Sequence, residues 1–117
     1  MFVLKGILRA ESQEKALIYL LLRGKGYGKS ISEFFGISQN AVQKQLIRLE
    51  EDSVVSSELI GKVRLFQLNP RYAFYDPLKE LIKSAVEAYP TEVIKNLVMV
   101  RTRPRKSGKV AIMVNND

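Results

Sequence analysis

The spacing of apolar residues predicts two consecutive helices near the middle of the chain. The first, shorter segment ends at Gly36, which can adopt a positive φ without steric cost and so suits a tight turn. Ser38 then precedes a longer helical pattern, where its hydroxyl can accept a hydrogen bond from a free N–H group of the first turn. The residues on the two inner faces are Ile31, Phe34 and Phe35, followed by Val42, Leu46 and Leu49.

The outward face of the second helix carries amides and a cation. At about 100° per residue, Asn40, Gln43 and Lys44 lie together on the side away from the apolar stripe. Asn and Gln suit adenine and Lys suits guanine in the major groove of DNA. Ile47 shares this face, and we expect it either to touch a thymine methyl group or to be covered by a neighbouring element. Acidic residues at the end of the helix favour DNA contact through its N-terminal half.

Two β-rich runs follow this pair of helices. Residues 54–60 and 63–68 flank a Gly-Lys pair, which predicts a β-hairpin. Lys62 and Arg64 suit a hairpin that touches the DNA backbone, whereas residues 58–60 are acidic or apolar. The hairpin tip is therefore predicted either to contact DNA less than usual or to meet a protein.

These elements, in this order, resemble the winged helix-turn-helix of prokaryotic transcription regulators of the ArsR and MarR type. The resemblance covers about residues 12–89 and rests on FF-G-IS-QNAVQKQLIRLEED followed by VVSSELIGKVRLFQLNP. It implies an α+β, mainly helical fold, with a small β-hairpin wing, a C-terminal helix and a basic tail. It further implies that a homodimer binds an inverted repeat of double-stranded DNA through a recognition helix in the major groove.

The resemblance also assigns roles to individual side chains. We expect the start of the recognition helix to read bases, and basic residues around it to hold phosphates. Tyr27 is expected to add a short strand to the wing. The predicted DNA-binding residues are the cap Ser38, the base-reading residues Gln39, Asn40, Gln43 and Lys44, and the phosphate-binding residues Lys29, Arg48, Lys62 and Arg64.

Apolar helices are predicted on both sides of this motif. The segment that Ser12 is predicted to cap is apolar on every side from residue 16 to residue 22, which indicates burial by a second subunit or a central place in the core. Asp76 and Pro77 predict the start of a later helix. In the resembled family the first and last helices often pair across a two-fold axis. The homodimer interface that this implies includes Leu20, Leu78, Ile82 and Tyr89.

The two ends of the chain allow alternatives. Residues 1–11 fit a short helix or an arm laid on a partner, and one more short helix is predicted after Pro90. Beyond it, RTRPRKSGK resembles an AT-hook core with Thr in place of Gly. Arg101, Arg103 and Arg105 are therefore predicted either to enter a narrow A·T-rich minor groove or to belong to a solvated basic tail.

Length and composition are ordinary for one globular domain. The chain has 117 residues, of which 46% are hydrophobic and 26% are charged. No apolar run approaches the roughly 18 residues of a membrane-spanning helix, and the N-terminus lacks the pattern of a signal peptide, so we expect a cytoplasmic protein. We predict a winged-helix domain with flanking dimerisation helices over residues 1–100 and a basic tail over residues 101–117.

The chain contains neither Cys nor His. This excludes disulfides, thiolate nucleophiles, His-based triads and ordinary zinc sites. Without a paired-acid motif either, we expect no enzymatic activity, no cofactor and no metal. Some ArsR-type regulators carry a cysteine motif in the recognition helix, where this chain has Gln and Asn, so metal sensing is not expected.

Net charge favours a polyanionic partner. The charge is +7, from 19 basic and 12 acidic residues, but five of the basic residues lie in positions 101–109, and without them it is +2. A rival interpretation is a winged-helix protein-interaction module, such as an adaptor or an antitoxin-like partner of another protein. The apolar hairpin tip, Ile47 and the all-apolar first helix favour that interpretation.

Overall fold

A computed structural model describes residues 1–99 of the chain. Within that range it contains five helices and a three-stranded antiparallel sheet, an α+β, mainly helical winged helix. The predicted fold class is therefore confirmed. In chain order the elements are α1 (Glu11–Arg23), β1 (Lys25–Tyr27), α2 (Gly28–Phe35), α3 (Gln39–Glu51), β2 (Val55–Ile60), β3 (Val63–Leu68), α4 (Tyr75–Val86) and α5 (Thr91–Met99).

The sheet has the order β1-β3-β2, and all of its pairs are antiparallel. Strands β2 and β3 form the predicted hairpin, in which Ile60 lies opposite Val63 and Gly61 adopts a φ of 63° in the turn. Tyr27 pairs with Leu65, so the short strand expected to join the wing is present. On the middle strand β3, Phe66 and Leu68 lie on the face that meets the core, and Phe66 is only 2% exposed.

Helix α1 is the centre of the fold. It packs against α3, α4, α5 and two strands of the sheet, and residues 13–20 are all buried. Its lack of a polar face is thus explained by the surrounding chain, which is one of the two alternatives that its sequence allowed. The inner side of α3 lies against it, with Val42 and Leu46 fully buried. Two buried amides join these helices, since Gln13 Nε2 donates to Gln45 Oε1 at 3.3 Å.

Residues 1–10 fold back on the same chain in turns and do not form the helix that their sequence allowed. The backbone N–H groups of Val3 and Leu4 donate to the carboxyl oxygens of Glu14, at 2.9 and 2.5 Å. The hydroxyl of Tyr89 donates to the same carboxyl group at 2.5 Å. Glu14 is only 1% exposed, so one buried acid joins the N-terminal segment, α1 and the connection between α4 and α5.

Two predicted helix starts are wrong by two residues. Helix α1 begins at Glu11 after Ala10, an extended residue without a side-chain cap, so Ser12 lies inside the first turn. Helix α4 begins at Tyr75, because a backbone turn at Phe74 starts it before Asp76. Proline has no backbone N–H group, and Pro77 is still tolerated because N–H groups in the first turn have no partner within the helix.

Candidate nucleic-acid interface

The turn between α2 and α3 has the geometry that the sequence predicted. Gly36 adopts left-handed backbone angles, φ 66° and ψ 39°, and its N–H group caps α2 by donating to the carbonyl of Ser32. Ser38 has an extended conformation and its Oγ accepts a hydrogen bond from the N–H of Ala41 at 3.2 Å. The glycine and the serine together fix where α3 starts and in which direction it leaves α2.

The outward face of α3 is open at its start. Gln39, Asn40 and Lys44 are exposed, whereas Gln43 is half-buried. Ile47 is 51% exposed, so no element of residues 1–99 covers it. The structure thus brings the four predicted base-reading residues onto one helix end, three of them fully accessible.

Gln43 is half-buried because its amide lies over Gly28, the first residue of α2. A Cβ atom placed on Gly28 would lie 2.3 Å from Gln43 Nε2 and 2.7 Å from its Cδ. Both distances are far below normal van der Waals contact. The absent side chain of Gly28 therefore provides the space that the Gln43 amide occupies. The sequence gives no sign of this relationship, because no local pattern links positions 28 and 43.

The predicted phosphate-binding residues lie on three different elements. Lys29 is exposed in the first turn of α2, Arg48 is half-buried on α3, and Lys62 and Arg64 are exposed on the wing. Both α2 and β2 pack against α3, which places these cations around that helix. Within residues 1–99 none of the four forms an ion pair with an acidic side chain.

Arg64 is nevertheless held by a neutral partner. Its Nη1 donates to Ser57 Oγ at 3.3 Å, and that hydroxyl donates to Glu50 Oε2 at 2.6 Å. Glu50 is one of the acidic residues at the end of α3, which were predicted only to favour DNA contact through the N-terminal half of that helix. The structure shows that it also anchors the wing, a role that no sequence motif indicated.

The predicted dimer residues need a correction. Leu20 and Ile82 are each 1% exposed and Tyr89 is 7% exposed, all within one chain. Such side chains have almost no surface left for a partner, and of the four only Leu78 is partly exposed. Apolar surface does persist elsewhere, in a groove between α4 and α5. Val86, Ile94 and Val98 contribute to the lining of that groove.

Within residues 1–99, two titratable groups have clearly shifted pKa values. Burial raises the pKa of Tyr89 above its ordinary value of 10.0, and its hydrogen bond to Glu14 adds to the effect. The hydrogen bond from Lys15, helped by the N-terminal ammonium group, lowers the pKa of the Glu11 carboxyl group. Both groups belong to the packing around α1, so neither shift points to chemistry at the exposed end of α3.

The basic tail lies outside the residues that the structure describes. Arg101, Arg103 and Arg105 lie outside residues 1–99, so their predicted minor-groove contact and the boundary at residue 100 stay predictions. Among the helices of residues 1–99, none combines the length and the apolar character needed to cross a membrane.

Comparison with solved structures supports the winged-helix fold. Two of the similar structures are of a double mutant of Lactococcus lactis ZitR. The one in apo form shares 25% identity over 65% of this chain and 58% of the ZitR chain, with a TM-score of 0.52. The other shares 22% identity over 74% of this chain and 62% of the ZitR chain, with a TM-score of 0.53. The matched part is thus less than two thirds of either ZitR chain. No protein-family profile and no curated protein sequence matches the chain.

Proposed function

We propose that this protein is a non-enzymatic, cytoplasmic transcription regulator that binds DNA by placing α3 in the major groove. The observation that carries this proposal is the contrast between the two sides of α3. Its inner side is locked into the core, while Gln39, Asn40 and Lys44 project from its exposed first half. The winged-helix fold shared with ZitR supports a regulator role.

Base reading is proposed for the amides and the lysine at the start of α3. Asn40 and Lys44 are one helical turn apart and both exposed, so they can reach neighbouring base pairs. Gln43 would act from the position over Gly28 that its amide occupies, because the absent side chain of Gly28 leaves space for the amide there. The cap Ser38 orients the free N–H groups of the first turn, which can contribute a phosphate contact.

Phosphate binding is proposed for the cations around α3. Lys29 precedes the recognition helix in the chain, Arg48 lies on it, and Lys62 and Arg64 follow on the wing. Contacts with phosphates position a protein on DNA without reading sequence, and they make affinity fall as salt rises. The basic segment with Arg101, Arg103 and Arg105 would add further phosphate contacts and so increase the salt-dependent part of the affinity. A chain that ends after residue 100 should therefore keep its sequence preference but show a shallower salt dependence.

A homodimer on an inverted repeat is proposed as the binding unit. Two copies related by a two-fold axis would place their α3 helices in half-sites about one helical turn apart. With Leu20 and Ile82 enclosed by their own chain, we assign the contact to the groove between α4 and α5 instead. Val98, which is 50% exposed on α5, is the clearest apolar candidate there, together with Leu78 on α4.

The first test is selection of random genomic fragments by the purified chain at roughly physiological salt, which suppresses the non-specific phosphate term. A double variant, Asn40→Ala with Lys44→Ala, should lose the selected motif. The matched control Asn96→Ala removes an exposed amide from α5 and should keep it. Recovery of one palindromic motif supports the proposal. Even recovery of all fragments, or of none, contradicts it.

A protein-interaction module is the second candidate, and the exposed wing tip is the observation that favours it. Leu59, Ile60 and Val63 are 59%, 44% and 55% exposed, an unusual concentration of aliphatic surface on a hairpin tip. This function predicts sequence-blind DNA binding together with a tight protein complex. Replacing Leu59 by Ser should then abolish the complex and leave DNA binding unchanged, whereas the regulator function requires no such complex.

A further inference from the structure

Two hydrogen bonds in series connect the recognition helix to the wing. Glu50, in the last turn of α3, accepts from the hydroxyl of Ser57 on β2 at 2.6 Å, and the same hydroxyl accepts from Arg64 Nη1 on β3 at 3.3 Å. In the ladder, Ser57 lies opposite Phe66 and Leu59 lies opposite Arg64. Because side chains alternate along a strand, Ser57 and Arg64 share one face of the hairpin, the face that meets α3.

The direction of the two bonds follows from the chemistry of the groups. A hydroxyl has one proton to donate and lone pairs with which to accept. A carboxylate can only accept, so Glu50 accepts the hydrogen bond that the Ser57 hydroxyl donates, and a lone pair of that oxygen accepts from the Arg64 guanidinium group. The short distance to Glu50 is typical of an O–H group bound to a carboxylate. Glu50 thereby sets the orientation of a hydroxyl that would otherwise rotate.

Exposure increases along this series. Glu50 and Ser57 are half-buried, whereas Arg64 is exposed at the outer end. Arg64 has five N–H donors in a planar fork, and the bond to Ser57 uses one of them. Within residues 1–99 the other donors of Arg64 have no hydrogen-bond acceptor, so they can bind an oxyanion, and the planar fork matches the geometry of a phosphate group.

We propose that Glu50 and Ser57 are positioning residues that hold Arg64, on the α3 side of the wing, ready to bind a backbone phosphate of DNA. The inference rests on the proposed DNA-binding function and assigns it two residues that touch no DNA themselves. An arginine that is already held loses less side-chain freedom on binding, so the phosphate contact is stronger than that of an unrestrained surface arginine.

The test measures the affinity of the protein for a fluorescein-labelled, mixed-sequence 30-base-pair duplex by fluorescence anisotropy. The salt concentration is varied between about 50 and 200 mM, because affinity that depends on phosphate contacts falls steeply over this range. Ser57→Ala should weaken binding about three- to tenfold, the equivalent of one hydrogen bond, without any change in charge. Ser57→Thr keeps the hydroxyl and should restore affinity. Ser56→Ala, the same change on the opposite face of β2, is the matched control and should have no effect.

Arg64→Ala separates positioning from a purely structural role. Without the guanidinium group, the slope of log affinity against log salt should become shallower by roughly 0.9 for each phosphate that is no longer neutralised. Adding Ser57→Ala to Arg64→Ala should weaken binding no further, because Ser57 acts only through Arg64. If Ser57→Ala weakens DNA binding equally in the presence and in the absence of Arg64, the inference is overturned. It is also overturned if Ser57→Ala binds DNA as tightly as the wild type. If the unaltered chain binds no duplex at any salt concentration, the proposed function fails and the inference with it.

Discussion

The amide of Gln43 on the recognition helix occupies the space where a side chain on Gly28 would begin. A Cβ atom at Gly28 would lie 2.3 Å from Gln43 Nε2 and 3.2 Å from its Oε1. Gly28 is the first residue of α2, and its backbone does not have a positive φ. This glycine is therefore required for the space it leaves rather than for backbone freedom. A residue outside the recognition helix thus controls where one of the predicted base-reading groups points.

Gly28→Ala should change DNA sequence preference without unfolding the protein. The new methyl group has to displace the flexible end of Gln43, which costs little, and alanine reduces the conformational freedom of the unfolded chain. We expect a melting temperature that is unchanged or slightly higher, and an altered base preference in a repeat of the genomic selection. An unchanged preference would show that Gln43 does not need this position to act.

Gln43→Ala should relax discrimination at a single base position. A side chain that forms two hydrogen bonds with adenine contributes roughly 1–3 kcal/mol of discrimination against other bases. The measurement is competition between the selected operator and its single-base variants. A uniform loss of affinity on every sequence would show that Gln43 is not a reader. Combining Gln43→Ala with Gly28→Ala should then add nothing, since the methyl group no longer has an amide to displace.

Tyr89→Phe should destabilise the fold at neutral pH but make it less sensitive to alkali. The variant loses the hydrogen bond to Glu14, which should cost about 1–2 kcal/mol. In the wild type the pKa of Tyr89 is raised, so above pH 10 the unfolded chain releases this proton while the folded chain retains it. The free energy of unfolding then falls as pH rises, by at most about 1.4 kcal/mol per pH unit from this group.

Urea unfolding at pH 8, 9, 10 and 11 measures this difference between the wild type and Tyr89→Phe. The stability advantage of the wild type should be constant up to about pH 10 and then shrink, because a phenylalanine has no proton to release. An advantage that persists unchanged at pH 11 would contradict the raised pKa of Tyr89.

Leu20→Asp should unfold the chain itself, not merely separate two copies of it. Leu20 is 1% exposed, and an unpaired carboxylate in that position costs several kcal/mol. Circular dichroism should show the loss of cooperative unfolding, and the loss should be independent of protein concentration. A variant that stays folded as a monomer would instead return Leu20 to the dimer interface.

Val98→Asp provides the complementary test of self-association. Val98 is half exposed beside the groove between α4 and α5, so the variant should fold normally. Sedimentation should show a shift from dimer to monomer. Asn96→Asp adds the same charge at an exposed position of α5 outside that groove, and should leave the dimer intact. Equal behaviour of the two variants would argue against the groove as the interface.

The helix-turn-helix and the wing were predictable because their signals are local. Gly36 and Ser38 define the turn through their own backbone preferences and neighbouring N–H groups, and the Gly-Lys turn defines the hairpin in the same way. Each of these interactions joins residues only a few positions apart. The same kind of reasoning misplaced the start of α4, where the backbone turn at Phe74 comes before the Asp-Pro signal.

Which apolar residues would face a partner chain was not predictable, because an apolar stripe indicates burial without indicating which chain provides it. Leu20 and Ile82 have the pattern expected of an interface, yet they contact the core of their own chain. The details of the candidate site were hidden for a related reason. The approach of Gln43 to Gly28, and of Arg64 to Ser57, depends on how separate elements pack, and neither pair follows a helical or strand period.

The bond between Glu14 and Tyr89 also bears on the order of folding. It joins residues 75 positions apart, and the bond from Arg23 Nε to the carbonyl of Leu97 joins residues 74 apart, so both close very long loops. Closing such loops has a large entropic cost before the contact forms, whereas the hairpin and the α2–α3 turn need only short closures. We therefore expect α5 to dock last. Mutations that remove the Glu14–Tyr89 bond or the Arg23–Leu97 bond should accelerate unfolding and leave the folding rate nearly unchanged.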